Sequence, residues 1–376
     1  MKNKILKYDF LIIGSGLIGS LLGIALIEQK FRVLVVDKQI ISRNLNLDQR
    51  TLAVNANSRD FLQSINLWKL LNKEHAHIEK IRIETFQTNQ KLLFENKRES
   101  LGSVIYNKTL LKIARKNLTK KKALVGGVLL NIDNLKINET TNIKNQNYSF
   151  KKIILAGGKQ LKSQIDSKNY HIGKTDHKAY VGFFSHVENH KNTAYENFTN
   201  QGPLAILPAP DKSNKKSTFI YSSSNNASYN IIQKLIKKNF NKTHGHIKLS
   251  KKIFSYPILP YLFNPKKKYN SLLFVGDSFR SIHPVAGQGW NLGIKDIQSL
   301  INLLKTNKIE SENLNEIFYS RRKTESYLYF YFTQLINKTF EKNNFINKLI
   351  GINSLKLLKK FGFLREFFID RAMGKN

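Results

Sequence analysis

The chain contains no cysteine in 376 residues. That excludes disulfides, thiolate metal sites and cysteine nucleophiles, and it fits a reduced compartment. Acidic side chains are scarce: 26 Asp and Glu stand against 62 Lys and Arg, a formal net charge of +36. Such an excess can serve nucleic acid, a membrane surface or an acidic partner. The lysines are scattered and interleaved with asparagine, which reads as a compositional bias toward Lys, Asn and Ile. No recognition motif accompanies them, so nucleic acid is not expected as a partner. The sharper reading is attraction to an anionic membrane surface, worth about 1 kcal/mol per basic residue near it. No stretch reaches the ~18 uninterrupted apolar residues of a spanning helix. What remains is an ordinary apolar content of 41% and length enough for about two domains.

The start of the chain, "MKNKILKYDFLIIGSGLIGSLLGIALIEQK", imitates a secretion signal, with basic residues ahead of an apolar run. Against that reading, the run holds Gly14, Gly16, Gly19 and Gly23, and it leads straight into a second apolar segment, "FRVLVVDK". The pattern instead predicts a buried strand, a tight turn Gly14-x-Gly16-x-x-Gly19, a buried helix and a second strand ending in Asp37. Gly14 makes the turn, Gly16 lets a pyrophosphate approach the backbone, and Gly19 lets helix and strand pack closely. Free N–H groups at the helix start favour phosphate, and Asp37 can accept from a ribose hydroxyl. This unit is read as a dinucleotide site; it does not separate FAD from NAD.

A second glycine region lies near the other end, "FVGDSFRSIHPVAGQGWNLGIKDIQSL" (274–300). Asp277 at a strand end suits a sugar or ribityl hydroxyl. Pro284 stiffens the loop, and Gly287 and Gly289 permit close backbone contact where a helix begins. Gly293, Ile297, Leu300, Ile301 and Leu304 share one face of that helix. Its N-terminus favours negative charge, as at the N1–O2 edge of a reduced flavin. The two regions could therefore hold the two ends of one FAD.

The segment "GDSFRSIHPVAGQGWNLGIKD" closely resembles the "GD…HP.AGQG.NLG..D" motif of FAD-dependent aromatic hydroxylases, and within them the ubiquinone-biosynthesis hydroxylases. Further support comes from "LDQRTLAVNANSRDFLQSINLW", "LGSVIYNKTL", "QGPLAILP" and the tail "YSRRKTESYLYFYFTQLINKTF…REFFIDRAMG". The resemblance covers nearly the whole chain. It implies an α/β fold: a Rossmann-like FAD-binding domain of the aromatic hydroxylase type, an inserted α+β substrate domain and a helical C-terminus. The expected FAD domain takes 1–75, 100–160 and 265–340, the substrate domain 76–99 and 161–264, and the helical segment 341–376.

The same resemblance implies a flavin-dependent monooxygenase. NAD(P)H would reduce FAD, which with O2 would give a C4a-hydroperoxide that hydroxylates the ring of a polyprenylated phenol. The cofactor carries this chemistry, which accounts for the lack of an obvious nucleophile or acid–base pair. Arg50 matches an arginine that approaches the flavin. His283 and Pro284, the catalytic candidates, would lie on one face of its ring. Gln288 and Asn291 complete the expected cofactor contacts. No metal is expected, although His75-x-His77 and His244-x-His246 have the spacing for one. No second nicotinamide-binding unit is present, so the donor would bind transiently against the FAD domain.

The chain departs from the family in one motif. The usual Asp-Gly-x-x-Ser is replaced within "ILAGGKQLKSQ", with Gly157 at the aspartate position. Arg280 also stands where many relatives have His or Gln. Flavin halogenases and prenyl reductases carry motifs with tryptophan between small or aromatic neighbours, and neither Trp68 nor Trp290 has that setting. The alternative from another class is a redox-inactive FAD-binding or basic membrane-associated accessory protein of the same pathway. In the tail, Leu357, Phe361, Leu364 and Phe368 share a helical face that could bury in a membrane interface. The expected location is cytoplasmic, peripheral to the inner membrane, with other ubiquinone-biosynthesis proteins as partners.

Overall fold

The run Phe10–Ile13 is continuously apolar because its strand, Leu6–Ile13, lies between parallel neighbours on both sides. The computed structural model describes residues 4–39, 48–71, 74–85, 88–96, 99–165, 167–173, 176–199, 202–224, 226–264, 269, 271–284, 288–306, 309–341 and 374. Its α-helices among these are α1 (Leu17–Glu28), α2 (Ala56–Ser64), α3 (Asn107–Lys120), α4 (Tyr229–His244), α5 (Gln288–Thr306) and α6 (Leu314–Glu341).

The first sheet has the order Leu272–Phe274, Gln146–Leu155, Leu6–Ile13, Val33–Asp37, Leu124–Gly126, all parallel. Thr140–Ile143 pairs antiparallel beside Gln146–Leu155. The period-2 alternation of a strand splits its residues between two cores. Phe10, Ile12, Val33 and Val35 face α1, α3 and α5; Leu11, Ile13, Leu34 and Val36 face Phe150, Tyr261, Phe263 and Phe279. The N-terminal segment that imitates a secretion signal is thus the centre of the core: eight residues of α1 are buried.

A second, larger sheet runs Ile247–Leu249, Lys178–His186, Lys216–Ser223, Gly202–Pro208, Thr193–Thr199, Lys80–Thr85, Thr88–Glu95, with Phe254–Pro257 also on Lys178–His186. Lys80–Thr85 joins it from far upstream, parallel to Thr193–Thr199. α4 covers this sheet, placing Ile232, Ile236 and Phe240 on Phe184, Leu204, Ile206 and Phe219. The Ser228 side chain caps its start by accepting from the Ile231 N–H, and Gly245, at φ 70°, ends it. α6 crosses α5 and reaches the smaller sheet Tyr170–Ile172, Tyr261–Phe263, Arg280–Ser281. The tail residues Leu357, Phe361, Leu364 and Phe368 lie outside the described residues.

Candidate cofactor and active site

Gly14 adopts φ 107°, and a Cβ there would lie 2.6 Å from Gly157 Cα. A Cβ on Gly19 would lie 1.9 Å from the Gly14 carbonyl oxygen. Both glycines are demanded by the chain itself. Gly16, the N-cap of α1, is different: among the described residues a Cβ there meets nothing within 4 Å. No side chain caps this helix, and its first turn holds no acidic residue. An open space before uncapped amides fits a pyrophosphate.

Asp37 closes the turn from the next strand. Its carboxylate accepts from the Ser15 N–H at 2.6 Å, the Ser15 hydroxyl at 2.8 Å and the Gln39 N–H at 2.8 Å. A carboxylate has about four acceptor sites, so this bracing leaves capacity for a ribose hydroxyl. Buried Arg115 completes the arrangement, donating from Nε to the Ser15 carbonyl at 2.9 Å with Nη2 3.8 Å from Asp37. Burial lowers its affinity for the proton, and Asp37 opposes that. Nothing in "LLKIARKNL" marked Arg115 beyond its place on an apolar helix face.

The C-terminal glycine region arrives at the same place through Ile18, in the first turn of α1. A Cβ on Gly276, at φ 57°, would lie 3.1 Å from Ile18, and one on Gly293 would lie 2.6 Å from it. Asp277 follows. Its backbone carbonyl accepts from the Tyr261 hydroxyl, and its Cβ is 3.9 Å from where a Gly158 Cβ would stand. The Asp277 residue keeps an exposed surface, yet the surrounding protein raises its carboxyl above the usual value, against the opposing charges of Lys159, Arg280 and Arg50.

Arg50 is held by a partner that sequence reading missed. Asp48 accepts from its Nε at 2.9 Å and its Nη2 at 2.8 Å, and also from Asn107 Nδ2. The guanidinium lies 5.5 Å from the Tyr256 ring centroid. Burial works to raise Asp48, but Arg50 and Asn107 outweigh it and hold the carboxyl low; the hydrogen bond to Asp48 raises Arg50. The clamp leaves Nη1 outside it. The signal was present as the two-residue spacing in "DQR", where the aspartate also accepts from the Arg50 N–H at 3.0 Å.

His283 is fully buried, and among the described residues neither ring nitrogen has a hydrogen-bond partner. Its ring centroid is 5.6 Å from that of His177. Burial, with His177 and Lys159 adding to it, lowers His283 to about 3, so it is neutral at physiological pH. Pro284 is half-buried beside it, and Gly287 lies outside the described residues. Gln288 and Gly289 open α5, with a Gly289 Cβ position 3.7 Å from Ile282. Asn291 faces inward: Nδ2 donates to the Ala53 carbonyl at 2.9 Å, and Oδ1 accepts from the Asn55 N–H at 3.2 Å. It ties the start of α5 to the cap of α2.

The departure at Gly157 is built into the packing. Leu161, where the family motif has serine, puts its Cγ 2.7 Å from a Gly157 Cβ position and sits in the core. The two polar positions of the motif have been exchanged for one apolar contact. The neighbouring Gly158 N–H donates to Ser278 Oγ at 2.9 Å, which fastens this turn to the Gly276–Ser278 loop.

Arg280 lies in the interior of the fold. It is buried with Asp296, donating from Nη1 at 3.0 Å and Nη2 at 2.9 Å, while Arg322 Nε donates to the same carboxylate at 2.8 Å. Glu325 then pairs Arg322 and Lys295. This network binds the Asp277 loop to α5 and α6.

Away from this site, sequence reading also missed a cluster of buried histidines. The His186 ring centroid lies 4.7 Å from that of His244 and 6.2 Å from that of His190. Among the described residues no group of three or more His, Cys, Asp or Glu is placed to hold a metal. Burial lowers His190 and His244 to about 4 each, reinforced by the neighbouring rings and, for His190, opposed by Asp211. The unfolded chain then binds more protons below about pH 6.5, so stability falls as pH drops from there toward 4. Each histidine is expected to remove on the order of 2 kcal/mol by pH 5. Denaturant titrations of wild type and His244→Phe at pH 7 and 5 check this: the variant should lose less stability between them.

No family model matches the chain. Among curated proteins it is 23% identical to the ubiquinone hydroxylase UbiL of Rhodospirillum rubrum over 390 residues, covering 97% of this chain and 89% of the relative. It is 23% identical over 320 residues to the 3-demethoxyubiquinol 3-hydroxylase of Escherichia coli, 79% of each. Among solved structures it matches the p-nitrophenol 4-monooxygenase PnpA from Pseudomonas putida with TM-score 0.72 and 10% identity, over 99% of this chain and 100% of that one. The flavin-dependent brominase Bmp2 matches with TM-score 0.69 and 12% identity, over 98% and 93%. Because a brominase shares the architecture, fold alone does not choose the reaction. The chain has the fold of the FAD-dependent monooxygenases, and it is similar over almost its whole length to curated ubiquinone hydroxylases.

Proposed function

We propose that this protein is an FAD-dependent monooxygenase that hydroxylates the aromatic ring of a polyprenylated phenol in ubiquinone biosynthesis. The observation that carries the reading is the meeting, at Ile18, of two glycine regions from opposite ends of the chain around an open cradle. Gly14, Gly16 and Gly19 would hold the pyrophosphate and Asp37 the ribose. Arg50, Asp277, Gly287, and Gln288 and Gly289 at the start of α5 would hold the flavin half, with Asn291 bracing that start from within through Ala53 and Asn55. When bound, FAD supplies the electron-transfer and oxygen chemistry that side chains lack.

The chain's own residues orient and enclose. His283, fully buried and neutral, would shape the loop on one face of the flavin ring. The large sheet would form one wall of the phenol pocket and exclude water, which protects the oxygen-transfer step. We read the two sheets as the cofactor and substrate domains with the boundaries given above. NAD(P)H would donate from solution. The basic charge supports a position peripheral to the inner membrane, near other ubiquinone-biosynthesis proteins.

The Gly157–Leu161 contact favours one competing reading, a redox-inactive FAD-binding accessory protein. Steady NAD(P)H oxidation by the FAD-loaded protein, with a hydroxylated product from a short-chain polyprenylphenol, supports the enzyme. Retained FAD without either supports the accessory protein. For the site itself, Asp277→Ala should weaken FAD binding by about 1.5–3 kcal/mol, the range for a hydrogen bond to a charged group. Equal affinity in the folded variant, by fluorescence titration, would remove Asp277 from the site.

A further inference from the structure

α6 is sharply two-faced. Its inner face buries Phe330 against Leu262, Ile282 and Leu292. Its outer face exposes Leu328 at 54%, Tyr331 at 51%, Phe332 at 41% and Leu335 at 58% of their surfaces. Their spacing is i, i+3, i+4, i+7, a continuous helical stripe. The stripe lines a shallow groove of about 600 Å³ with Tyr327 and Gln334. It extends onto the adjoining sheet, where Tyr331 contacts His171 and the next residue, Ile172, is 47% exposed. A contiguous apolar face of this kind on a chain of mean hydropathy −0.37 marks a docking surface.

Charge identifies the occupant. The protein carries +36, and the stripe is flanked by exposed Arg321 and Lys323, the latter's Nζ 5.7 Å from the Tyr327 ring centroid. A second copy would bring the same excess and be repelled. Residues 342–376 are basic too, with eight Lys or Arg against two acidic residues. An anionic partner of extended apolar character satisfies both features, and tyrosine is favoured where an apolar phase meets water. Position points the same way. The inner face of this helix touches Ile282, the neighbour of His283, so the stripe lies about one helix diameter, ~10–12 Å, from the candidate active site.

We propose that the outer face of α6, with Ile172, seats the protein on an anionic lipid bilayer, next to the site that a bilayer-dissolved phenol must reach. This rests on the substrate class proposed above. Among the described residues no helix is long and apolar enough to cross a membrane, so the contact is with the surface.

The test uses full-length, FAD-loaded protein and sedimentation with vesicles. Wild type should bind vesicles of equal parts phosphatidylglycerol and phosphatidylcholine, and bind pure phosphatidylcholine at least tenfold more weakly. Leu328→Ser, Phe332→Ser and Leu335→Ser combined should cut anionic-vesicle binding about a hundredfold, since each large apolar side chain contributes up to about tenfold. These residues are exposed, so the variant should stay folded and yellow. Phe332→Trp should bind like wild type. The proposal is overturned by a wild type that ignores anionic vesicles, or by a triple variant that binds them normally. It is also overturned if the triple variant changes only the oligomeric state in sedimentation velocity, or if removing 342–376 abolishes binding that the triple variant retains. A soluble short-chain phenol separates the two readings. Its turnover without vesicle binding sinks only the docking face; vesicle binding without turnover sinks only the proposed reaction.

Discussion

Gly16→Val should give a folded but colourless protein, whereas Gly19→Ala should give little folded protein. Both changes fall in the same turn, and local propensity does not separate them. At Gly16 the backbone is at φ −63° and ψ −178°, which valine adopts without strain, and among the described residues a Cβ there meets no atom within 4 Å. Stability should therefore change by less than about 1 kcal/mol. The space the valine fills is the one a pyrophosphate needs, so FAD should be lost on gel filtration. At Gly19 the first side-chain atom would stand 1.9 Å from the Gly14 carbonyl oxygen. The obstacle is backbone at the start of α1 and cannot rotate away. The cost should exceed about 4 kcal/mol, by the separation of α1 from its strand. Circular dichroism, thermal melts and the flavin absorbance of the two variants check the pair. A Gly16→Val protein that retains FAD would place the dinucleotide elsewhere.

The same turn shows what a sequence carries and what it withholds. Gly14-x-Gly16-x-x-Gly19 between two apolar runs was legible because a parallel strand, a tight turn and a helix each impose a local residue pattern. Asp277 and the amphipathic helix behind it were legible for the same reason. Contacts between distant segments were not. Asp48 is two residues from Arg50 and could have been noticed, but Tyr256 beneath the same guanidinium comes from the other sheet. Arg115 meets Ser15 a hundred residues upstream. The erosion of the Asp-Gly motif was visible at Gly157, but Leu161, which fills the vacated volume, acquires meaning only beside it in space. Arg280 stood out in the sequence only as a residue where many relatives have His or Gln; its place in a buried ion network is visible only in the structure.

That network supports the second large effect. Asp296 is fully buried and accepts from the Gly276 N–H at 2.9 Å, from both terminal nitrogens of Arg280 and from Arg322 Nε. Burial lowers Arg280, with Asp296 opposing; on Arg322 the same carboxylate and Glu325 outweigh burial and raise it. Asp296→Ala should leave the buried Arg280 guanidinium without the carboxylate it pairs with, leave Arg322 with Glu325 alone, and orphan the Gly276 amide. Removing one partner from a buried pair costs about 3–5 kcal/mol, much of it from the unpaired charge left behind. In a chain of this size that corresponds to a fall in Tm of roughly 5 °C. Asp296→Asn keeps the shape and an acceptor oxygen, so it should cost less while still losing the charge. Coupling between Asp296→Ala and Arg322→Met should be large and compensating, because the second change removes one of the stranded charges. Gly276 immediately precedes Asp277, so the alanine variant should also bind FAD more weakly at temperatures where it remains folded. A loss below about 1 kcal/mol in Asp296→Ala would mean that water reaches these arginines. The Asp277 loop would then owe its position to Ile18 and the Gly158–Ser278 hydrogen bond rather than to the ion network.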